Sequence, residues 1–499
     1  MRHSTWIVCL AVALLGPYVK ADEPAKKEKS AQDYVERGRR MLARDDTEQA
    51  RADFDEAIKR DPKLTEAYHG RALLHLRLAG QHMAKAATLG RNKEFDAADD
   101  AFNRAKAELG KALADLNKAL ELAPKNAQLF VERAVLFSRQ SADDKALADL
   151  AEAIRLEPKN AKFYAVRADF YLAREKYDKA LADFDKAIEL DPKDAASRER
   201  RAGIYVLKKE PKKALADYDA LIKLEPKDGL HYYRRALVHG SLNDFDKAIA
   251  DLDEGIWYEP KSAQLYMARG SSWLVKGEYA RAAADFDVVL RQNPKDAAAY
   301  RRRGAAHTAQ KNYDQAMADY DAAIKFEPKN VSGYVGRGVL WYKKDDLAKA
   351  LADFEEAFKL QPESLEALHA RGGVYLEKAD YDKAKADFEA AIKIDPKDDL
   401  SYNNLAWMWA TCPEAKFRDG KKAVEYATKA CELTKYKHYG VLDTLAAAYA
   451  ENGKWEDAIK WAKEALKLAP EKDKKKMKER LELFQAKKPY RETKPERQE

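Results

Sequence analysis

Nine prolines, at positions 124, 158, 192, 226, 260, 294, 328, 362 and 396, stand 34 residues apart. Proline donates no backbone hydrogen bond and pushes the residue before it away from helix, so each one stops whatever helix leads up to it. With position 32 of a unit placed on the proline, twelve units begin near residues 31, 65, 127, 161, 195, 229, 263, 297, 331, 365, 399 and 439. Within residues 161–194, Tyr164, Ala168 and Tyr171 make one apolar stripe, and Ala180, Phe184, Ala187 and Ile188 make another. Three- and four-residue spacing of this kind is the period of amphipathic helices. Position 8 is Gly or Ala in every unit, from Gly38 to Ala446, and position 20 is Ala in every unit, from Ala50 to Ala458. Residues this small let two helices approach to about 8 Å, which predicts a tight antiparallel hairpin per unit. One hairpin cannot bury its apolar face alone, so the units must stack on their neighbours and share a continuous core.

The full pattern has an aromatic at position 4, Gly or Ala at 8, an aromatic at 11, Ala at 20, an aromatic or Leu at 24, Ala at 27 and Pro at 32. It resembles the tetratricopeptide repeat over about residues 31–472, departing mildly where Leu221, Gly255 and Val289 occupy position 27. The resemblance implies an all-α, right-handed superhelical solenoid of about twelve repeats. It also implies first helices that line the concave side and offer positions 2, 5, 9, 12 and 13 to a ligand.

A second regularity is internal. The first ten units carry Arg at position 7 and Asp at position 23, among them Arg167 with Asp183, Arg201 with Asp217, Arg269 with Asp285, Arg303 with Asp319, and Arg337 with Asp353. The last two units have neither, with Leu405 and Leu445 facing Tyr426 and Trp461. Joint presence and joint loss predict contact, a structural Arg–Asp ladder between helices with bidentate pairing where geometry permits.

Other segments break the repeat. Residues 1–21 read as a signal peptide: a positive start, an apolar run of 11 residues that is too short to span a bilayer, and a cut after Ala21. Residues 22–30 then form a polar leader. The extra residues at about 80–107 predict that both helices of the second unit lengthen by about 14 residues into a spur, either a docking element or a passive decoration, with Leu78, Met83, Ala86, Phe95, Ala98, Phe102, Ala105 and Leu109 in helical register. A loop insertion covers about 411–420, residues 473–486 make a capping helix, and 487–499 are expected to be disordered. The stretch "LAWMWATCPEAKFRDGKKAVEYATKACELT" resembles the last unit of exported bacterial proteins with this repeat, which implies a periplasmic, cell-envelope or secreted location. Beyond the signal segment only Cys412 and Cys431 remain, expected as two separate, partly buried thiols.

Chemistry is sparse. Net charge is +7, or +5 without Arg2 and Lys20, and the excess gathers in the C-terminal tail, so no basic face for nucleic acid is expected. No metal-ligand spacing, phosphate loop or nucleophile motif occurs, and neither a metal nor a cofactor is expected. His75, His239 and His307 replace the aromatic of position 11 and read as packing residues.

The expected function is a non-catalytic scaffold, monomeric because a cap closes its end, that binds a protein or peptide segment in the concave groove. Tyr233, Leu237, Met267, Arg301, Val335, Val339 and Tyr342 are the groove candidates. Trp257 and Trp407 are candidate exposed aromatics. They support an alternative reading as a cell-wall or glycan-binding envelope protein.

Overall fold

The computed structural model describes residues 29–493; the expected signal peptide, most of the polar leader and the last six residues lie outside that range. Among the described residues there are twenty-five α-helices and no strand, from α1 (Ala31–Ala43) to α25 (Glu471–Gln485). The chain divides into two compact units, one up to Val238 and the other from His239 onward, with the division falling inside α11 (Gly229–Ser241). No described helix is long and apolar enough to cross a membrane.

Each repeat is a helical hairpin, for example α7 (Ala161–Leu172) with α8 (Tyr177–Leu190), or α17 (Val331–Lys343) with α18 (Leu347–Leu360). One device closes the hairpins. The residue at position 15 turns left-handed, as at Glu175 (φ 56°), Lys209 (φ 57°), Lys311 (φ 63°) and Gly277 (φ 79°). The next N–H then donates back to the carbonyl of position 11: Lys176 to Tyr171 at 2.9 Å, Glu210 to Tyr205 at 2.8 Å, Glu278 to Trp273 at 2.9 Å. This is the six-to-one bond of a Schellman turn, which satisfies a carbonyl that the helix end leaves over.

Between repeats, the position-4 tyrosine hydroxyl donates to the carbonyl of the preceding proline, as in Tyr164 to Pro158 at 3.2 Å and Tyr334 to Pro328 at 3.1 Å. Arg198 stands where the tyrosine is missing and its guanidinium makes the same bond to Pro192, at 3.0 Å.

The core sits where the large residue of position 24 meets the small residue of position 8. Phe184, Phe286, Phe354 and Phe388 are fully buried there. A Cβ added to Gly338 would lie 2.5 Å from the Phe354 ring. The small residue is therefore required by contact distance.

The spur is a longer hairpin, α3 (Thr65–Arg91) with α4 (Phe95–Leu122), of 27 and 28 residues. Its interior is narrower than the helical register predicts. Ala79, Ala101, Ala105 and Leu109 are buried, whereas Met83, Phe95 and Phe102 face solvent, because two isolated helices share only one contact stripe. In the eleventh repeat, α21 (Asp399–Thr411) and α22 (Gly420–Leu433) are joined by a long loop containing a 3₁₀ turn, Ala415–Phe417. The twelfth is α23 (Tyr439–Glu451) with α24 (Trp455–Leu468), and α25 closes the stack with Met477 and Phe484 buried. Both thiols, Cys412 and Cys431, are free and fully buried rather than partly so; burial raises both, Cys431 to about 12.

Candidate functional site

The arginines of position 7 reach the aspartates of position 23 in the bidentate way. Arg167, Arg269 and Arg337 donate from Nε to Asp183, Asp285 and Asp353 at 2.7, 2.9 and 2.9 Å, and from the terminal nitrogen at 2.7, 2.6 and 2.7 Å. Arg201–Asp217 and Arg303–Asp319 pair likewise. The carboxylates are buried and the guanidiniums half-buried.

The sequence reading missed a second strut. The remaining guanidinium nitrogen crosses to an aspartate of the preceding hairpin, at position 25: Arg269 to Asp253 and Arg337 to Asp321, each at 2.6 Å. Hydrogen bonds to the aspartates hold these guanidiniums more firmly protonated than usual. Position 25 is Asn117 before Arg133, which bonds it at 2.9 Å, and Ala151 before Arg167. The signal was present as a recurring acid at position 25, obscured by the many other surface carboxylates. The position-11 histidines approach the same aspartates, His307 at 3.8 Å from Asp319 and His239 at 4.0 Å from Asp251. They belong to the polar ladder as much as to the packing.

The groove candidates divide between the two units, Tyr233 and Leu237 in the first and the other five in the second. Leu237 is 50% exposed and Tyr342 39%, while Tyr233, Met267 and Val339 are half-buried. Val335 is a correction. It is 3% exposed and is packed with Ala350 and Phe354 of its own hairpin and Val374 of the next. Arg301 is no free cation either: it holds Glu327 at 2.7 Å and lowers that carboxyl's pKa. Tyr342 donates to Glu377, and burial followed by that carboxylate pushes its hydroxyl up to about 12.

What the candidates missed is that first helices keep apolar side chains in water at positions 12 and 13. Val206 and Leu207 do so in the first unit, and Val275, at 66% exposure, joins Tyr342 in the second. Position 9 is small on the same helix as Val275 (Ser271), on the intervening first helix (Ala305) and on the first helix after Tyr342 (Gly373), and a Cβ on Gly373 would meet nothing within 4 Å.

Trp257 is 79% exposed on the second helix of its hairpin. Trp407, expected to be exposed, is half-buried and covered. Residues 487–493, expected to be disordered, run back across it: Tyr490 lies against the indole with centroids 5.9 Å apart, and the indole N–H donates to Glu492 at 2.6 Å.

Among the described residues, Glu225, Asp228 and His231 are the only group with three potential metal-ligand atoms close together. His231 is buried, with Glu225 at hydrogen-bonding distance (2.8 Å) and Asp228 at 3.6 Å, so the ring nitrogen facing them already has a partner within the chain.

Tetratricopeptide-repeat family profiles match residues 161–194, 233–297, 297–330, 365–398 and 440–472. No curated protein matches. Among solved structures, a tetratricopeptide repeat protein from Parabacteroides merdae is 20% identical, with a TM-score of 0.44, covering 49% of this chain and 96% of that one. Yeast Tom70 is 17% identical over 82% of this chain and 96% of its own, with a TM-score of 0.47. YrrB, described as a repeat protein of this kind with an unusual peptide-binding site, is 21% identical over 38% of this chain and 96% of its own, with a TM-score of 0.30.

Proposed function

We propose, on the premise that this chain is a tetratricopeptide-repeat protein, that it is a non-catalytic scaffold that takes an extended segment of a partner protein along its first helices. Proteins built from this repeat generally mediate protein–protein interaction, and the finer assignment is to the first-helix face of the second unit. The observation that carries it is the pair Val275 and Tyr342, kept in water by two first helices, with the small residue Ala305 on the first helix between them and Ser271 one turn before Val275. A partner segment lying along these helices would find apolar side chains to pack on and small residues that let its backbone come close. The first unit likewise keeps apolar side chains in water, Val206 and Leu207, on the same first helix as the small residue Gly203.

The glycan reading is the weaker one, since Trp407 is occupied by the protein's own tail and Trp257 stands alone on a second helix. Affinity capture with the full chain as bait tests the assignment. Bait carrying Val275→Glu and Tyr342→Glu loses the partner that unaltered bait retains; equal capture by both removes the assignment. Export is part of the same proposal, and N-terminal sequencing of the protein from its source should begin at Asp22.

A further inference from the structure

The eleventh repeat ends its first helix differently from the others. Pro413 follows Cys412, so α21 cannot close in the Schellman turn that satisfies carbonyls elsewhere. The leftover carbonyls are met from a distance. Arg418 donates to Cys412 at 2.8 Å, and the Asp419 N–H donates to Trp409 at 3.0 Å. The last two of the helix are met by the C-terminal segment: Arg491 donates to the Ala410 carbonyl at 3.2 Å and the Glu492 N–H to the Thr411 carbonyl at 3.0 Å.

The same segment is read side chain by side chain. Tyr490 lies against Trp407, and the Arg480 guanidinium sits 5.5 Å from both ring centroids, held by Asp443 at 3.3 Å. Arg491 forms an ion pair with Glu451, and Glu492 accepts from the Trp407 indole. The residues doing this reading stand at positions 5 (Asp443), 9 (Trp407), 12 (Ala410) and 13 (Thr411, Glu451) of first helices. They are thus the positions from which a first-helix face addresses a ligand.

We infer that this end of the second unit is a peptide-recognition site for an extended aromatic–arginine–acid sequence, and that Tyr490-Arg491-Glu492 is its resident intramolecular ligand. The partner it fits is a segment of another protein with that order of side chains, which enters by displacing the tail. Residues 494–499 follow the motif in the sequence, so the site reads an internal segment and needs no chain-terminal carboxylate. Tethering gives the resident segment an effective concentration of order millimolar, which sets the barrier a competitor must overcome. The inference deepens the reading of first-helix faces as binding surfaces and rests on it, but through residues other than Val275 and Tyr342.

The test uses the full chain with its own tail loosened by Arg491→Ala and Glu492→Ala, and a fluorescent peptide copying residues 487–493, followed by anisotropy. The peptide should bind the loosened chain at least tenfold more tightly than the unaltered chain. Alanine at the peptide's arginine or glutamate, or Glu451→Gln in the loosened chain, should cost about tenfold each. Circular dichroism checks that the loosened chain is folded, and Tyr490→Ala serves as a second way to free the site. Absence of binding at millimolar peptide to both loosened chains overturns the inference. So does binding that ignores the alanine substitutions. Binding abolished by Val275→Glu with Tyr342→Glu but untouched by Glu451→Gln would place the peptide elsewhere and overturn this site alone. A concentration-dependent dimer lost on loosening would assign the segment to a second copy and overturn the intramolecular seat.

Discussion

Asp285→Ala and Asp253→Ala remove two acceptors of the same guanidinium, and the structure makes their costs unequal. Asp285 takes two hydrogen bonds from Arg269 in a buried position, whereas Asp253 takes one at a half-exposed surface. Breaking a fully buried ion pair from one side costs about 3–5 kcal/mol, and an exposed pair contributes about 0.2–1 kcal/mol. Arg269 keeps 21% of its side-chain exposure. Water and Asp253 can therefore solvate it in part after Asp285 is lost, which lowers the expected cost of Asp285→Ala to about 2–3 kcal/mol. Asp253→Ala should cost about 0.5 kcal/mol. Repeat proteins open locally, so a single global unfolding curve is the wrong instrument. Native-state hydrogen exchange of peptides covering α13 (Ala263–Lys276) and α14 (Tyr279–Gln292) reads the opening of this hairpin directly. At about 1.36 kcal/mol per decade, Asp285→Ala should speed exchange there roughly 30- to 150-fold, against two- to threefold for Asp253→Ala. A double-mutant cycle with Arg269→Met should return most of the larger cost as coupling. Equal effects of the two aspartates, or a coupling below about 0.5 kcal/mol, would refute the ladder as a source of stability.

Adding the missing strut should do the reverse: Ala151→Asp places an acceptor before Arg167, and exchange in α7 and α8 should slow by a few tenths of a kcal/mol, about twofold. Gly338→Ala drives a methyl to 2.5 Å from the buried Phe354 ring and should destabilise its hairpin by about 1–3 kcal/mol, seen as a lower melting temperature. Lys209→Gly and Lys311→Gly relieve left-handed turns and should each stabilise by about 0.5–1 kcal/mol in the same assay. Asp169 is pushed up to about 6, chiefly by burial, although Arg200 at 2.9 Å opposes the shift. Its folded value lies above the unfolded one, so the folded state holds the extra proton: stability should fall as pH rises from about 4 to 6 and level off above. With the carboxylate partly hydrated, that loss is about 1–2 kcal/mol. Asp169→Asn should flatten it, and an unchanged pH slope in α7 exchange would contradict the assignment.

The hairpins were legible because their causes are local and repeated. A proline every 34 residues, a small residue at positions 8 and 20, and a large aromatic or Leu at position 24 of the first ten units leave few alternatives for the backbone. The Arg–Asp pairing could also be read, since the last two units lose both members together. Exposure could not be read in this way. Val335 occupies the same repeat position as Met267, yet is buried between its own hairpin and the next, while Val275, about two turns beyond Met267 on the same helix, is not. Which side of a first helix stays wet depends on the packing of the neighbouring repeat, a relation that spacing within one unit does not contain. The tail was misread for a related reason. A charged, proline-bearing segment has the composition of disorder, and what binds residues 490–492 lies elsewhere in the chain: the carbonyls left over by Pro413, the Trp407 indole and Glu451. Arg491 and Glu492, which looked like solvated charge, serve a helix end about 80 residues away in the sequence, donating to its last carbonyls and accepting from the Trp407 indole.

The claim on which the account turns is that partners meet this protein on its first helices. Site-specific photo-crosslinking measures that contact directly, with Val275, Tyr342 or the exposed second-helix residue Trp257 replaced one at a time by p-benzoylphenylalanine in the full chain in its source cell. Adducts of one common mass at 275 and 342, with none at 257, are the predicted result. An adduct at 257 with none at 275 or 342 would put the partner on the opposite helices and contradict the account.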